Sequence, residues 1–128
     1  MKFKVLLHVN EPERWAVAIS NIINFLNDVS EESAEVVVVA NGSAVKGYVR
    51  EGETPGEVQG TVCAVGVSAG SADMEELSKR GVLFLACRNA LHTQRIAAES
   101  LPDFVTVVPA GITEIVRRQA DGFAYIKP

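Results

Sequence analysis

Cysteine is scarce in this chain of 128 residues, which holds only Cys63 and Cys87. Two cysteines cannot frame a disulfide-stapled scaffold. Neither a Cys-x-x-Cys nor a paired-histidine spacing accompanies them, so no metal site is expected. Basic clusters are missing as well. Twelve Lys and Arg stand against sixteen Asp and Glu, a net charge of −4. No run of five or more cations supplies the footprint of a nucleic-acid binder. Aromatic residues make up 6% of the chain, and Trp15 and Tyr48 are too scattered to form a base-stacking surface. No apolar run approaches the roughly twenty residues of a membrane span, and the stretch after Lys4 is too short for a signal peptide. The expected compartment is therefore the cytoplasm, with no membrane partner. Neither Gly-x-Gly-x-x-Gly nor a Walker loop occurs, so no cofactor is expected and a flavodoxin-type nucleotide binder has no phosphate loop to support it. Ser43, Ser68 and Ser71 lack the His and Asp partners of a serine hydrolase.

What the chain does have is apolar content, 48% of its residues, with a mean hydropathy of +0.17. A chain of this length buries roughly two-thirds of the surface its unfolded form exposes, enough for one domain without staples. No repeat, low-complexity segment or linker divides residues 1–128. So much apolar content in a small domain points to surface buried against further subunits.

Periodicity orders the chain into short apolar runs alternating with amphipathic stretches. Phe3 to Val9 reads as a strand buried on both faces. Asn10 is placed to cap the next helix, with Pro12 in the first turn and Glu13 at capping-box spacing. Trp15, Ile19, Ile22 and Leu26 recur every three or four residues, predicting a helix to about Asp28. Val36 to Ala40 is a β-branched strand, after which Ser43 is expected to cap a short helix or turn through Arg50. Six of the ten glycines fall between Gly47 and Gly70. The segment from about 51 to 70 reads as an irregular excursion, with Cys63 in its apolar stretch. Ser71 is expected to cap a helix through Arg80, ended by Gly81. Val82 to Ala86 forms a third strand ending at Cys87, and Asn89 is placed to cap a helix to about Ser100. Val105 to Val108 is a fourth strand, Gly111 opens a helix carrying Ile112, Ile115 and Val116, and Phe123 to Ile126 is a last strand.

This alternation specifies an α/β fold, a doubly wound, mainly parallel sheet with helices on both faces. Ligands of such sheets bind beyond the carboxyl ends of the strands. Asn10-Glu11, Asn41-Gly42-Ser43, Cys87-Arg88-Asn89 and Pro109-Ala110-Gly111 all lie at those ends and should share one rim. Cys87 is the most informative of them, between a buried strand and a helix start with Arg88 beside it. Helix N-terminal amides and a neighbouring cation both favour a thiolate, the nucleophilic form of cysteine. The competing reading is a buried, inert thiol. Arg88 is an activating charge or an anion ligand, unless it is simply solvated. His92 and Arg95 read as exposed helix surface. His8, near the end of the first strand, is either a structural side chain or an acid/base group. Cys63 reads as a small core residue, with a relay thiol as the alternative.

The segments Val38-Val39-Ala40-Asn41-Gly42-Ser43-Ala44-Val45, Gly81 to Leu91 with Ala86-Cys87-Arg88-Asn89 at its centre, Val107-Val108-Pro109-Ala110-Gly111-Ile112-Thr113-Glu114-Ile115 and the ending Gln119-Ala120-Asp121-Gly122-Phe123-Ala124-Tyr125-Ile126-Lys127-Pro128 resemble the DsrE/DsrF-like sulfur-relay proteins. The likeness runs over nearly the whole chain and is weakest from about Glu51 to Gly70. It implies a flavodoxin-like sheet of about five strands, assembled as a homotrimer or a dimer of trimers. It also implies a sulfurtransferase chemistry in which the cysteine of a Cys-x-Asn segment, here Cys87 with Asn89, carries persulfide sulfur between a donor and an acceptor protein. The contrasting expectation is a non-catalytic oligomer that binds a small ligand or partner at the same rim.

Overall fold

A computed structural model describes residues 2–49 and 72–128. Five strands form one sheet: β1 (Phe3–Val9), β2 (Ala34–Ala40), β3 (Leu83–Cys87), β4 (Val105–Val108) and β5 (Ala124–Ile126), ordered β4-β3-β2-β1-β5. All four pairings are parallel. The helices are α1 (Trp15–Val29), α2 over 72–79, α3 (Arg88–Gln94) and α4 (Gly111–Ala120). The excursion at 51–70, Cys63 and the Ser71 cap lie outside the described residues.

Strand order decides which face each helix covers. From β1 to β4 the chain steps always in one direction, then returns across the whole sheet to place β5 beyond β1. Right-handed crossovers made in opposite directions lie on opposite faces. Accordingly α1, the 3-10 turn Gly42–Tyr48, α2 and α3 pack on one face with Leu7, Val9, Val36, Val38, Phe84 and Ala86, while among the described residues α4 alone covers the other through Ile115 over Leu6, Val37, Val39 and Leu85.

The first face is cemented by aromatics. Trp15, Ile19, Ile22 and Leu26 are the buried stripe of α1, as their spacing predicts. The Trp15 indole N–H donates to the Ala44 carbonyl at 2.8 Å, and the Tyr48 hydroxyl donates to the Leu85 carbonyl at 2.9 Å. Tyr48 is wholly enclosed, and burial holds its hydroxyl well above the ordinary tyrosine range. Gly47 is required by space, since a Cβ there would fall inside the Trp15 indole. Met74 and Leu77 complete this core from α2. Gly81, at φ +101°, closes that helix with the Val82 amide returning to the Leu77 carbonyl at 3.1 Å, the Schellman bond that a residue with positive φ permits.

Three capping expectations and one helix end are corrected. Asn10 caps nothing: a 3-10 turn, Pro12–Arg14, precedes α1 and neither has a side-chain cap. The Asn10 amide oxygen instead accepts a bond from Lys127 Nζ at 3.2 Å, tying the chain end to the rim. Ser43 lies inside the turn Gly42–Tyr48, whose N-cap is Asn41. Asn89 is the second residue of α3, because the N-cap is Cys87 itself. Finally, α3 stops at Gln94 and not near Ser100. Arg95 takes the left-handed conformation, and the Ile96 amide returns to the Leu91 carbonyl at 2.9 Å. Ile96 thereby packs onto the core.

Candidate functional site

The reversal of chain direction also singles out one pair of strand ends. After β3 the chain turns to α3 on one face, and after β4 it turns to α4 on the other. Adjacent strands whose following segments part to opposite faces leave a gap between them, the topological switch point of a doubly wound sheet. Cys87 is the last residue of β3, in register with Val108 at the end of β4. It stands at that gap as a free thiol.

The missing Cβ of Gly111, the buried first residue of α4, leaves only a small notch packed between the ends of β2 and β3. A Cβ built on it would meet Cys87 Cβ at 3.3 Å, Val39 Cγ1 at 3.3 Å and Asn41 Cβ at 3.4 Å. Cys87 and Asn41, 46 positions apart in sequence, therefore flank one point. Gly42 continues the rim towards β1. It has φ +58°, and its missing Cβ would lie 3.1 Å from the Asn10 carbonyl oxygen. The strand ends expected to share a rim do share it: Cys87, Gly111, Asn41, Gly42 and Asn10 follow one another across the sheet.

The other expected rim residues flank these positions. Arg88 and Asn89 are exposed in the first turn of α3, and Ser43 is half-buried in the turn after β2. His92 and Arg95 are exposed, as expected of helix surface. Cys87 itself is only 7% exposed. It is the N-cap residue of α3 and makes no side-chain cap hydrogen bond there.

Next to this notch lies a hydrogen-bonded chain only partly visible in the sequence. His8 Nδ1 is 2.7 Å from the Tyr125 hydroxyl, and His8 Nε2 is 3.0 Å from Asn41 Oδ1. Oδ1 can only accept, so Nε2 carries the proton; in the neutral ring Nδ1 then accepts from the tyrosine hydroxyl. Burial pushes the His8 pKa below its ordinary value, opposed by the Asn41 bond and assisted by the charge of Lys127. Tyr125 escaped the sequence reading because its role depends on β5 pairing with β1, where Leu6 meets Tyr125. Its alternation with Phe123, which is buried beneath α4, was the available signal. Among the described residues, no three His, Cys, Asp or Glu side chains gather as metal ligands, and no helix is long and apolar enough to cross a membrane.

A profile of the DsrE/DsrF-like family matches residues 4–128. The chain belongs to the DsrE/DsrF-like family. Among solved structures it is similar to MTH1491 of Methanobacterium thermoautotrophicum, a protein of unknown function, at 32% identity and a TM-score of 0.77, covering 99% of this chain and 100% of that one. It also shares the fold of the E. coli ychN protein, at 17% identity and a TM-score of 0.75, with both chains covered in full. No curated protein matches it. Membership of the DsrE/DsrF-like family points to sulfur-relay-related function and agrees with the five-stranded parallel sheet.

Proposed function

We propose that this protein is a sulfur carrier that holds persulfide sulfur on Cys87 and passes it to a partner thiol. The observation that carries the reading is the address of Cys87, the last residue of β3 at the switch point of a DsrE/DsrF-like sheet. The Cys87 thiolate attacks the outer sulfur of a donor persulfide. A new S–S bond forms, the donor S–S bond breaks, and the donor leaves as a thiolate. Cys87 is left as Cys87-S-SH. An acceptor thiolate then attacks the outer sulfur of that group and releases Cys87 as a thiolate, so the cycle involves no net oxidation. Small size and burial suit such a carrier, because a persulfide sheltered from bulk thiols survives until a specific acceptor opens access to it.

The protein would work as a homo-oligomer, a trimer or hexamer. Ile112 and Val116 stand one turn apart on the outer side of α4 and are 64% and 61% exposed, an apolar pair suited to a second copy of the chain. Burial of Cys87 favours a second reading, in which the thiol is structural and the rim of a non-catalytic oligomer binds a ligand or partner. Intact mass after incubation with polysulfide separates the two. The carrier gains sulfur in wild type and not in Cys87→Ser; equal gain in both, or none in wild type, would leave the binding reading.

A further inference from the structure

His8, Tyr125 and Asn41 form a cluster that the sulfur-carrier reading does not use. All three lie on the α4 side of the sheet. His8 alternates with buried Leu6, Tyr125 pairs in register with Leu6, and Asn41 continues the alternation of Val37 and Val39. Their hydrogen bonds have one direction. The Tyr125 hydroxyl donates to His8 Nδ1, and His8 Nε2–H donates to Asn41 Oδ1. Asn41 is thus held with its amide oxygen towards β1, which leaves its N–H2 group on the other side of the carboxamide. Asn41 Cβ and Cys87 Cβ border the same Gly111 notch, at 3.4 and 3.3 Å from its missing Cβ.

We infer that His8 is a positioning residue for Cys87: braced by Tyr125, it orients the Asn41 carboxamide so that the N–H2 group faces negative sulfur at the Gly111 notch. An amide donor fixed beforehand stabilises a thiolate or perthiolate without reorganising when the charge forms. A freely rotating Asn41 would present its oxygen part of the time and repel the same charge. Protonating His8 leaves Nε2–H in place, so the orientation persists; only the Tyr125 hydroxyl must turn to accept from Nδ1. His8 therefore acts without exchanging a proton with Cys87.

The inference rests on Cys87 being the reactive thiol, but its test needs no sulfur transfer. The rate at which methyl methanethiosulfonate modifies Cys87 is followed by peptide mass spectrometry between pH 6 and 9. His8→Leu, which loses the donor, is expected to react about ten-fold more slowly, the scale of one lost hydrogen bond to a charged group. His8→Gln restores a donor and is expected within about three-fold of wild type, with the ratio flat across that pH range. The double variant His8→Leu/Asn41→Ala should be no slower than Asn41→Ala alone, because the two act as one unit. Asn41→Asp keeps an acceptor for His8 and removes the N–H2 group, so it too must slow Cys87 and reads the donor even where His8→Leu does not fold. Wild-type rates in His8→Leu or Asn41→Asp, no rescue by glutamine, losses that multiply in the double variant, or a His8-dependent inflection in the pH profile would each overturn the positioning role. These outcomes are independent of polysulfide loading, so a protein that carries no sulfur can still support the inference and a carrier can still refute it.

Discussion

On one face of the sheet α1, the turn Gly42–Tyr48, α2 and α3 enclose Trp15, Tyr48 and Phe84 in a continuous aromatic and aliphatic core. On the other, among the described residues, α4 alone lies over Leu6, Val37, Val39 and Leu85, with Ile112 and Val116 facing outward. Both faces come from one sheet and strands of similar composition. The difference arises from topology, since three crossovers run on one side and one on the other. It also divides the labour. The thickly covered face provides most of the core and packs around Cys87, and the thinly covered face carries Asn41, His8 and Tyr125 at its strand ends.

The sharpest way to break this comparison is to empty each core in turn. Trp15→Ala removes a buried indole and its hydrogen bond to Ala44 and should cost about 3–5 kcal/mol by denaturant unfolding, the range for large aromatic truncations. Ile115→Ala, buried under α4, should cost less, about 2 kcal/mol, because a thin layer collapses more readily onto the gap. An Ile115→Ala loss equal to that of Trp15→Ala would deny the asymmetry. Gly111→Ala sharpens it at the notch. The added methyl meets Cys87, Val39 and Asn41 at 3.3–3.4 Å, so a cost of about 1 kcal/mol is expected, together with slower modification of Cys87. Unchanged thiol reactivity would detach the notch from the site.

Substituting Ile112→Asp and Val116→Asp together should leave the unfolding free energy of the monomer within about 0.5 kcal/mol of wild type, as for exposed positions generally. The same pair should lower the mass measured by light scattering to that of one chain. An unchanged assembly would move the subunit contact elsewhere. The smallest effect is a pH dependence. His8 has a lowered pKa in the fold, so its contribution is present in full above its unfolded value and is lost as pH falls through the lower folded one. Stability should therefore dip slightly in mild acid, and His8→Gln should flatten the dip.

The strands were legible because β-branched and apolar runs such as Val36–Ala40 and Leu83–Cys87 carry their own signal, and α1 because Trp15, Ile19, Ile22 and Leu26 repeat with the helix. Cys87 was legible for the same reason, as a polarisable side chain where a buried run ends. Cap positions were not. Asn10, Ser43 and Asn89 have the right chemistry, but the chain enters these helices through 3-10 turns or with Cys87 in the cap position, and a tertiary bond to Lys127 claims Asn10. Strand order was equally hidden, since nothing in Ala124–Ile126 announces that it pairs with β1. Without that pairing, Tyr125 cannot be placed beside His8, nor the gap between β3 and β4 recognised as the point where the chain changes face.

Peptide mapping of wild-type protein exposed to polysulfide, with persulfides trapped by alkylation before digestion, tests the central claim most directly. The account predicts a trapped persulfide on the peptide containing Cys87 that disappears when an acceptor thiol is added before trapping. A persulfide confined to the Cys63 peptide, or none on Cys87, would contradict it.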